Sequence, residues 1–301
     1  MNIFNKEVLS HHDFYIVKFT KNRDMPYLLF IHGGPGFNCG IIEYLIEHNG
    51  LFGLLNHNII LYDQRNCGRS RKFNDTVLHQ DNVNDLHEIT QYLADSIRIK
   101  IHGLIGHSYG AKLLFDYYNK FHSTIPGIFV STTNSILVPR LNNLMLDLAY
   151  LKKTNPTNYN ETIKEMDNLD IKKLWEISEK LDTLFQENKA RPYFYWANLE
   201  YFEVITEIQK HINLPINTGT FTSVRKDLYS DESNFSVQLE KLTAPNILIN
   251  GFHDYIINGA EGMLSKNPKT IIFYKSSHYP HIEENNLFNE TVNEFIGNIR
   301  S

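Results

Sequence analysis

The chain has 301 residues, of which 42% are hydrophobic and 21% are charged, and its formal net charge is −5 at pH 7. These values indicate a globular protein that buries a sizeable core as one domain or as one domain with an insertion. No basic patch is evident, which argues against nucleic acid or an anionic membrane as a partner. No segment is apolar enough to span a bilayer, no signal peptide is visible, and two cysteines make no disulfide framework, so we predict a cytoplasmic protein.

The first element in chain order is an alternating stretch, VLSHHDFYIVKFTKN (8–22), which is typical of an antiparallel edge hairpin. Short apolar runs with the β-branched character of buried parallel strands follow it: YLLFI (27–31), NIILY (58–62), IHGLI (101–105), GIFVS (127–131), NILIN (246–250) and TIIFY (270–274). Helical spacing occurs in VNDLHEITQYLADSI (83–97), AKLLFDYYNKF (111–121) and LFNETVNEFIGNI (287–299). This alternation predicts an α/β fold, with a mostly parallel central sheet and helices on both faces.

The segment 136–242 has a different pattern. Its apolar residues recur at helical spacing in LNNLMLDLAYL (141–151), YNETIKEMDNLDIKKLWEISEKLDTLF (159–185) and RPYFYWANLEYFEVITEIQKHI (191–212), and it has no strand of the core type. A helical insertion this late in the sheet predicts a cap over the carboxyl ends of the strands. We therefore predict a core domain formed by residues 1–135 and 243–301, and a helical cap domain formed by residues 136–242.

A candidate nucleophile lies in GHSYG (106–110), which matches G-x-S-x-G between a predicted strand and a predicted helix. In a strand-to-helix elbow the serine sits at the tip of a sharp turn, and flanking glycines avoid collisions with the neighbouring backbone. Ser108 is therefore a candidate nucleophile. The motif alone is equally compatible with a serine that caps the following helix.

A serine nucleophile requires a base and a group that orients the base, and on such a sheet the chain order is Ser, then Asp or Glu, then His. Asp254 follows the NILIN strand and His278 follows the TIIFY strand. Both the order and the strand-end placement agree with a triad. His278 would take the proton of Ser108, and Asp254 would hold the imidazole tautomer.

The loop HGGPG (32–36) follows the YLLFI strand and predicts an oxyanion hole. Two glycines before a proline allow a tight turn that presents a backbone N–H inward, whereas Pro35 has no N–H to donate. Our candidate donors are the N–H groups of Gly34 and Tyr109. The alternative is a plain Gly-Pro turn, and His32 is expected to be a structural residue rather than a base.

Taken together, HGGPG, DQRNCGRS (63–70), GHSYG, GFHD (251–254) and SSHYP (276–280) resemble the motifs of the proline iminopeptidase branch of the α/β-hydrolases, peptidase family S33. The resemblance runs from about residue 27 to the C-terminus and includes a helical cap. It implies an α/β-hydrolase fold, a triad of Ser108, Asp254 and His278, and release of an N-terminal residue, often proline, without metal or cofactor. The chain departs from the family at Asn66, where glycine is usual.

An aminopeptidase must hold a free α-ammonium, which calls for carboxylates near the site. In the cap, WANLE (196–200) resembles the family's tryptophan-then-glutamate segment, which implies substrate binding by Trp196 and Glu200. Glu203 and Glu207 follow at helical spacing and are further candidates for binding the ammonium. A solvated helix surface is at least as good an interpretation of these two residues. Some members of the family have an acidic residue directly after the triad aspartate, and Tyr255 occupies that position here.

These features predict a serine hydrolase that acts on a small peptide, most specifically a prolyl aminopeptidase. The alternative is an esterase or lactone hydrolase with the same triad and an apolar cap pocket. A binding protein that kept the fold but lost turnover is a third interpretation, since a fold does not fix function.

Overall fold

A mixed β-sheet forms the centre of the protein. The structure is a computed structural model that describes residues 4–70, 76–167, 170–182, 188, 190–257 and 270–300. The strands are β1 (Asn5–His11), β2 (Phe14–Thr20), β3 (Tyr27–Ile31), β4 (Asn58–Tyr62), β5 (Ile101–His107), β6 (Gly127–Val130), β7 (Asn246–Gly251) and β8 (Thr270–Phe273). Within the described residues they form one sheet in the order β1-β2-β4-β3-β5-β6-β7-β8.

Strand direction agrees with the sequence patterns. β2 pairs antiparallel with both β1 and β4, whereas the pairs from β4–β3 to β7–β8 are all parallel. The predicted edge hairpin and the mainly parallel sheet are therefore confirmed. β5 was predicted to end at Ile105 but continues through Gly106 and His107, because these two residues pair with Phe129 and Val130 of β6.

Helices cover both faces of the sheet, as predicted. On one face, the inward side chains of Leu29 and Ile31 pack with α2 (His79–Gln91), α3 (Tyr109–Phe121) and the later helix α9 (Thr218–Leu228). On the other face, Leu28 and Phe30 pack with α1 (Gly40–Asn49) and α11 (Asn285–Arg300). This alternation along β3 buries a strand on both sides, and it explains why its sequence is apolar throughout.

The chain between β6 and β7 is largely helical and contains α4 (Leu137–Thr154), α5 (Pro156–Glu165), α6 (Ile171–Asp182), α7 (Pro192–Tyr195), α8 (Leu199–Ile212) and α9. α4 and α6 share an apolar cluster of their own, which includes Leu144, Leu148, Leu174 and Ile177. Part of the predicted 159–185 helical stretch, residues 168–169 and 183–187, lies outside the described residues. Division of the chain into two domains remains a prediction.

The short helix α10 (Pro280–Glu283) follows the loop after β8 and carries part of the site described below. None of the helices in the described part of the chain has the length and apolar character needed to cross a bilayer.

Candidate active site

Ser108 lies at a sharp turn between β5 and α3, with φ of 54° and ψ of −116°. The flanking glycines are required by contact. A Cβ on Gly106 would lie 2.5 Å from the carbonyl oxygen of Gly110, and a Cβ on Gly110 would lie 2.3 Å from that of Ile31. Since any larger residue would force these segments apart, the predicted reason for G-x-S-x-G is supported here by distances.

The side chain of Ser108 does not cap the helix that it precedes. Ser108 occupies the N-cap position of α3, but its side chain makes no capping hydrogen bond. Its Oγ instead lies 3.0 Å from Nε2 of His278. The structure therefore favours the nucleophile geometry over the helix-cap alternative that the sequence left open.

His278 and Asp254 complete a hydrogen-bonded line from the serine. Nδ1 of His278 lies 2.8 Å from Oδ2 of Asp254, whose side chain is fully buried. The backbone N–H groups of Ile256 and Ile257 donate to Oδ1 of the same carboxylate, at 3.2 and 3.3 Å. Because a carboxylate accepts hydrogen bonds, Nδ1–H of His278 donates to Asp254 and Nε2 is left to accept from the Ser108 hydroxyl.

The loops that carry these two residues are in direct contact. A Cβ on Gly251, at the end of β7, would lie 2.0 Å from the carbonyl oxygen of Ser277. The backbone N–H of His253 donates to the carbonyl of Ser276 at 3.0 Å. Glycine at position 251 thus allows the Asp254 loop and the His278 loop to approach closely enough for the Asp–His hydrogen bond.

The HGGPG loop lies against the elbow. A Cβ on Gly33 would lie 2.8 Å from Nδ1 of His107 and 3.0 Å from Cβ of Ser108, and Gly34 has a φ of 58° that favours glycine. Tyr109 is the first residue of α3, a position where the backbone N–H has no carbonyl partner within the helix. The structure therefore places Gly33, the residue before Gly34, against Ser108, and Tyr109 directly follows Ser108 in the chain. Their role as an oxyanion hole stays a prediction.

His32 makes the contacts of a structural residue. Its Nε2 accepts from the backbone N–H of Gln64 at 3.1 Å, and its Nδ1 lies 2.9 Å from the carbonyl oxygen of Gly33. Burial lowers the pKa of this imidazole. The neighbouring Asn66 has a φ of 59°, which asparagine tolerates, so the departure from glycine at this position keeps the loop geometry.

Two further histidines adjoin the site, and neither was among the residues predicted for it. The ring of His107 lies 5.1 Å from that of His278 and 4.7 Å from that of His281, and its Nε2 lies 2.8 Å from the backbone carbonyl oxygen of His278. Burial lowers the pKa of His107 well below its ordinary value and that of His281 to about 3. Both rings are therefore neutral near pH 7, and Nε2–H of His107 donates to His278.

Aromatic side chains from the segment before α8 form a wall beside His278. The ring of Tyr195 meets that of His278 edge-on at 5.3 Å, and the buried Trp196 stacks on Tyr279 at 4.2 Å. Tyr279 in turn lies 5.4 Å from the His278 ring. Trp196, a predicted substrate-binding residue, is thus separated from His278 by the ring of Tyr279.

Glu283 holds this segment against the His278 loop. Its Oε1 accepts the backbone N–H groups of Ala197 and Asn198, at 2.8 and 3.2 Å, while Oε2 accepts that of Ser277 at 2.7 Å. Burial raises the pKa of the carboxyl, and these three donors oppose that shift. The SSHYP motif ends three residues before Glu283, and no sequence signal marked this residue.

Glu200 is exposed in the first turn of α8, where its backbone N–H donates to Oδ1 of Asn198. Among the described residues, no hydrogen bond or ion pair joins its carboxylate to Ser108, His278 or Asp254. Its predicted role in binding substrate therefore stays a prediction.

The sheet, the elbow and the Ser–His–Asp line together define a class of protein. The chain belongs to the α/β-hydrolase fold family, whose model matches residues 26–197. Within that class its sequence is similar to the proline iminopeptidase of Saccharolobus solfataricus, with 28% identity over 288 residues, covering 91% of this chain and 86% of that protein. The predicted resemblance to proline iminopeptidases is thereby confirmed.

Solved structures bear out the fold. A proline iminopeptidase-related protein from Thermus thermophilus has a TM-score of 0.66 and 16% identity, covering 98% of this chain and 97% of that one. An esterase from Exiguobacterium antarcticum has a TM-score of 0.58 and 16% identity, covering 94% and 95%. At such identities the likeness concerns the fold alone.

Proposed function

We propose that the protein is a serine hydrolase in which Ser108 is the nucleophile, His278 the general base and acid, and Asp254 the group that orients it. The observation that carries this proposal is the hydrogen-bonded line from Ser108 Oγ through His278 to the buried Asp254. Oγ attacks the scissile carbonyl carbon while Nε2 of His278 takes the hydroxyl proton. His278 then gives this proton to the leaving group as the scissile bond breaks, which leaves an acyl-enzyme.

A water molecule completes the cycle. It attacks the acyl carbon, His278 takes one of its protons, and the proton returns to Ser108 Oγ as the ester bond to the enzyme breaks. The N–H groups of Gly34 and Tyr109 are the proposed donors to the negatively charged oxygen of both tetrahedral intermediates. One such donor contributes about 10²–10³ in kcat in a serine protease, so the placement of this loop matters for rate.

The proposed substrate is a peptide with a free N-terminus, from which the enzyme releases proline or another small residue. Similarity to proline iminopeptidases over most of the chain supports this choice. In the aromatic wall of Tyr195, Trp196 and Tyr279, the two half-buried tyrosines are the proposed apolar contact for a pyrrolidine ring, and the buried Trp196 packs on Tyr279. Glu200 is the proposed partner of the substrate ammonium.

The second candidate function is hydrolysis of an ester or lactone by the same triad. The observation that favours it is that neither Glu283 nor Glu200 is a buried carboxylate free to pair with a substrate ammonium. Glu283 already accepts three backbone N–H groups, and the Glu200 side chain is exposed. A substrate without an ammonium group would need neither of them.

A substrate panel distinguishes these functions. We expect the wild-type protein to cleave a prolyl amide reporter faster than an alanyl amide reporter and faster than short acyl esters. Ser108→Ala should abolish turnover of every substrate. Dominant ester turnover with an untouched prolyl amide would overturn the aminopeptidase assignment while keeping the hydrolase. Absence of turnover with all reporters would favour a binding protein.

The role of Glu200 has its own test. Glu200→Gln should raise KM for substrates with a free amine and leave KM for N-blocked esters unchanged, because only the former place a cation near the carboxylate. Glu203→Gln, another exposed glutamate on α8, is the matched control. Equal changes with both kinds of substrate would contradict an ammonium-binding role.

A further inference from the structure

Two adjacent histidines and a glutamate meet at the edge of the sheet. His11 is the last residue of β1, His12 lies in the turn to β2 with a φ of 50°, and Glu88 lies on α2. One ligand atom from each of the three lies within 4.8 Å of the other two. Residues far apart in sequence thus place two imidazole nitrogens and a carboxylate oxygen around one point.

The carboxylate oxygen is the centre of this arrangement. Oε1 of Glu88 lies 3.0 Å from Nε2 of His11 and 3.1 Å from Nδ1 of His12. Nε2 of His11 and Oε1 of Glu88 are both buried atoms, yet neither has a hydrogen-bond partner among the described residues. They lie within ion-pair distance of each other but make no hydrogen bond to each other.

Contacts with neighbouring rings hold the imidazole of His11 in place. The His11 ring stacks on that of Tyr92 at 4.0 Å with an interplanar angle of 12°, and the tilted His12 ring lies 4.3 Å from it.

We propose that His11, His12 and Glu88 form a binding site for a divalent zinc-class ion. Zinc accepts imidazole nitrogens and carboxylate oxygens at about 2.0–2.2 Å, so tetrahedral ligands lie roughly 3.3 Å apart. The two observed N–O separations need to open by only about 0.3 Å to reach this value. Three protein ligands leave a fourth position for water.

The bound ion would join the turn of the edge hairpin to α2. β1 lies four strand positions from β5, which places the site roughly 19 Å from Ser108 at a strand spacing of about 4.8 Å. It is therefore separate from the hydrolytic residues, and we expect it to stabilise the fold by selective binding to the native state.

Zinc affinity of the full-length protein tests the proposal, measured by competition with a chromogenic chelator. His12→Asn keeps a residue that tolerates positive φ, and Glu88→Gln keeps the shape of the side chain. His122→Asn is the matched control, because His122 is an exposed histidine with the same φ of 50°. We expect wild type and His122→Asn to bind one Zn²⁺, and the two ligand variants to bind it at least tenfold more weakly.

Two further readouts accompany affinity. Zn²⁺ should raise the Tm of wild type and of His122→Asn but not that of His12→Asn, and hydrolysis should be unchanged in all the variants. Equal zinc affinity in wild type and the ligand variants would overturn the proposal. So would a wild-type protein that binds no Zn²⁺ at micromolar concentration, which would leave a plain ion pair at this place.

Discussion

The imidazole of His107 contacts the backbone of His278, the proposed base. It directly precedes the elbow serine, and its ring donates to the backbone carbonyl of His278 at 2.8 Å. Gly33 of the HGGPG loop packs against the opposite nitrogen of the same ring. One buried, neutral side chain thereby connects the elbow, the His278 loop and the predicted oxyanion loop. We infer that His107 acts through His278 as a positioning residue.

Two substitutions distinguish the hydrogen bond from His107 to His278 from a role of the ring in packing alone. His107→Leu removes the donor and should lower kcat at least tenfold with little change in KM, because the base loses its alignment with Ser108. His107→Gln retains an N–H donor and should restore most of kcat. Steady-state kinetics on the preferred substrate provide the measurement. Equal activity in the two variants, or a change confined to KM, would contradict a role for this hydrogen bond.

At the scale of elements, Glu283 connects the segment between α7 and α8 with the loop after β8. Its two oxygens accept three backbone N–H groups from both sides of this junction. Trp196 and Tyr279 stack across the same junction, and the backbone N–H of His278 donates to the carbonyl of Tyr195 at 3.1 Å. The position of the aromatic wall relative to the base therefore depends on a few contacts between distant parts of the chain.

Glu283→Gln should loosen this junction. The amide replaces one acceptor oxygen with an NH₂ group, so at least one backbone N–H loses its partner, at a cost of about 1–3 kcal/mol. We expect a lower free energy of unfolding and a higher KM for amide and ester substrates alike. Urea unfolding and kinetics beside Glu203→Gln measure both. A selective loss of free-amine substrates would instead assign Glu283 to the substrate ammonium.

The same contacts explain how far the sequence could predict the site. Ser108, Asp254 and His278 each follow a parallel strand, and parallel strands bring their carboxyl ends to one edge, so their proximity was predictable. Glu283 and the Trp196–Tyr279 stack join residues more than 80 positions apart, and no periodic pattern encodes which backbone groups they meet. Placement of Glu200 likewise depends on how α8 packs, which its helical spacing does not define.

At the scale of the whole molecule, buried neutral histidines couple folding to pH. Burial, together with the nearby His278, lowers the pKa of His281 to about 3, whereas an unfolded histidine titrates near 6.5. Between these values the unfolded chain binds more protons than the folded one, so the free energy of unfolding falls as pH falls. This contribution to stability is complete above pH 6.5 and is lost on the way to pH 3.

His281→Leu should remove this part of the acid sensitivity. Its ring lies near those of Phe30 and Phe288, so leucine keeps the apolar surroundings. Relative to wild type, the variant should gain up to about 1.4 kcal/mol of stability per pH unit as pH falls from 6 to 4. Urea unfolding at fixed pH values is the measurement, with His122→Asn as the exposed control. If the free energy of unfolding changed with pH equally in wild type and His281→Leu, His281 would not be the origin of this pH dependence.

Covalent labelling of the serine tests directly whether Ser108 is the nucleophile. A serine-directed phosphonate should add one equivalent to the full-length protein, and peptide mapping by mass spectrometry should locate the adduct on Ser108. Ser131→Ala is the matched control, because Ser131 also has a positive φ, of 53°, and follows the neighbouring strand β6. We predict complete labelling of wild type and Ser131→Ala and none of Ser108→Ala. Labelling that persists in Ser108→Ala, or a wild-type protein that stays unmodified, would contradict a nucleophilic role for Ser108.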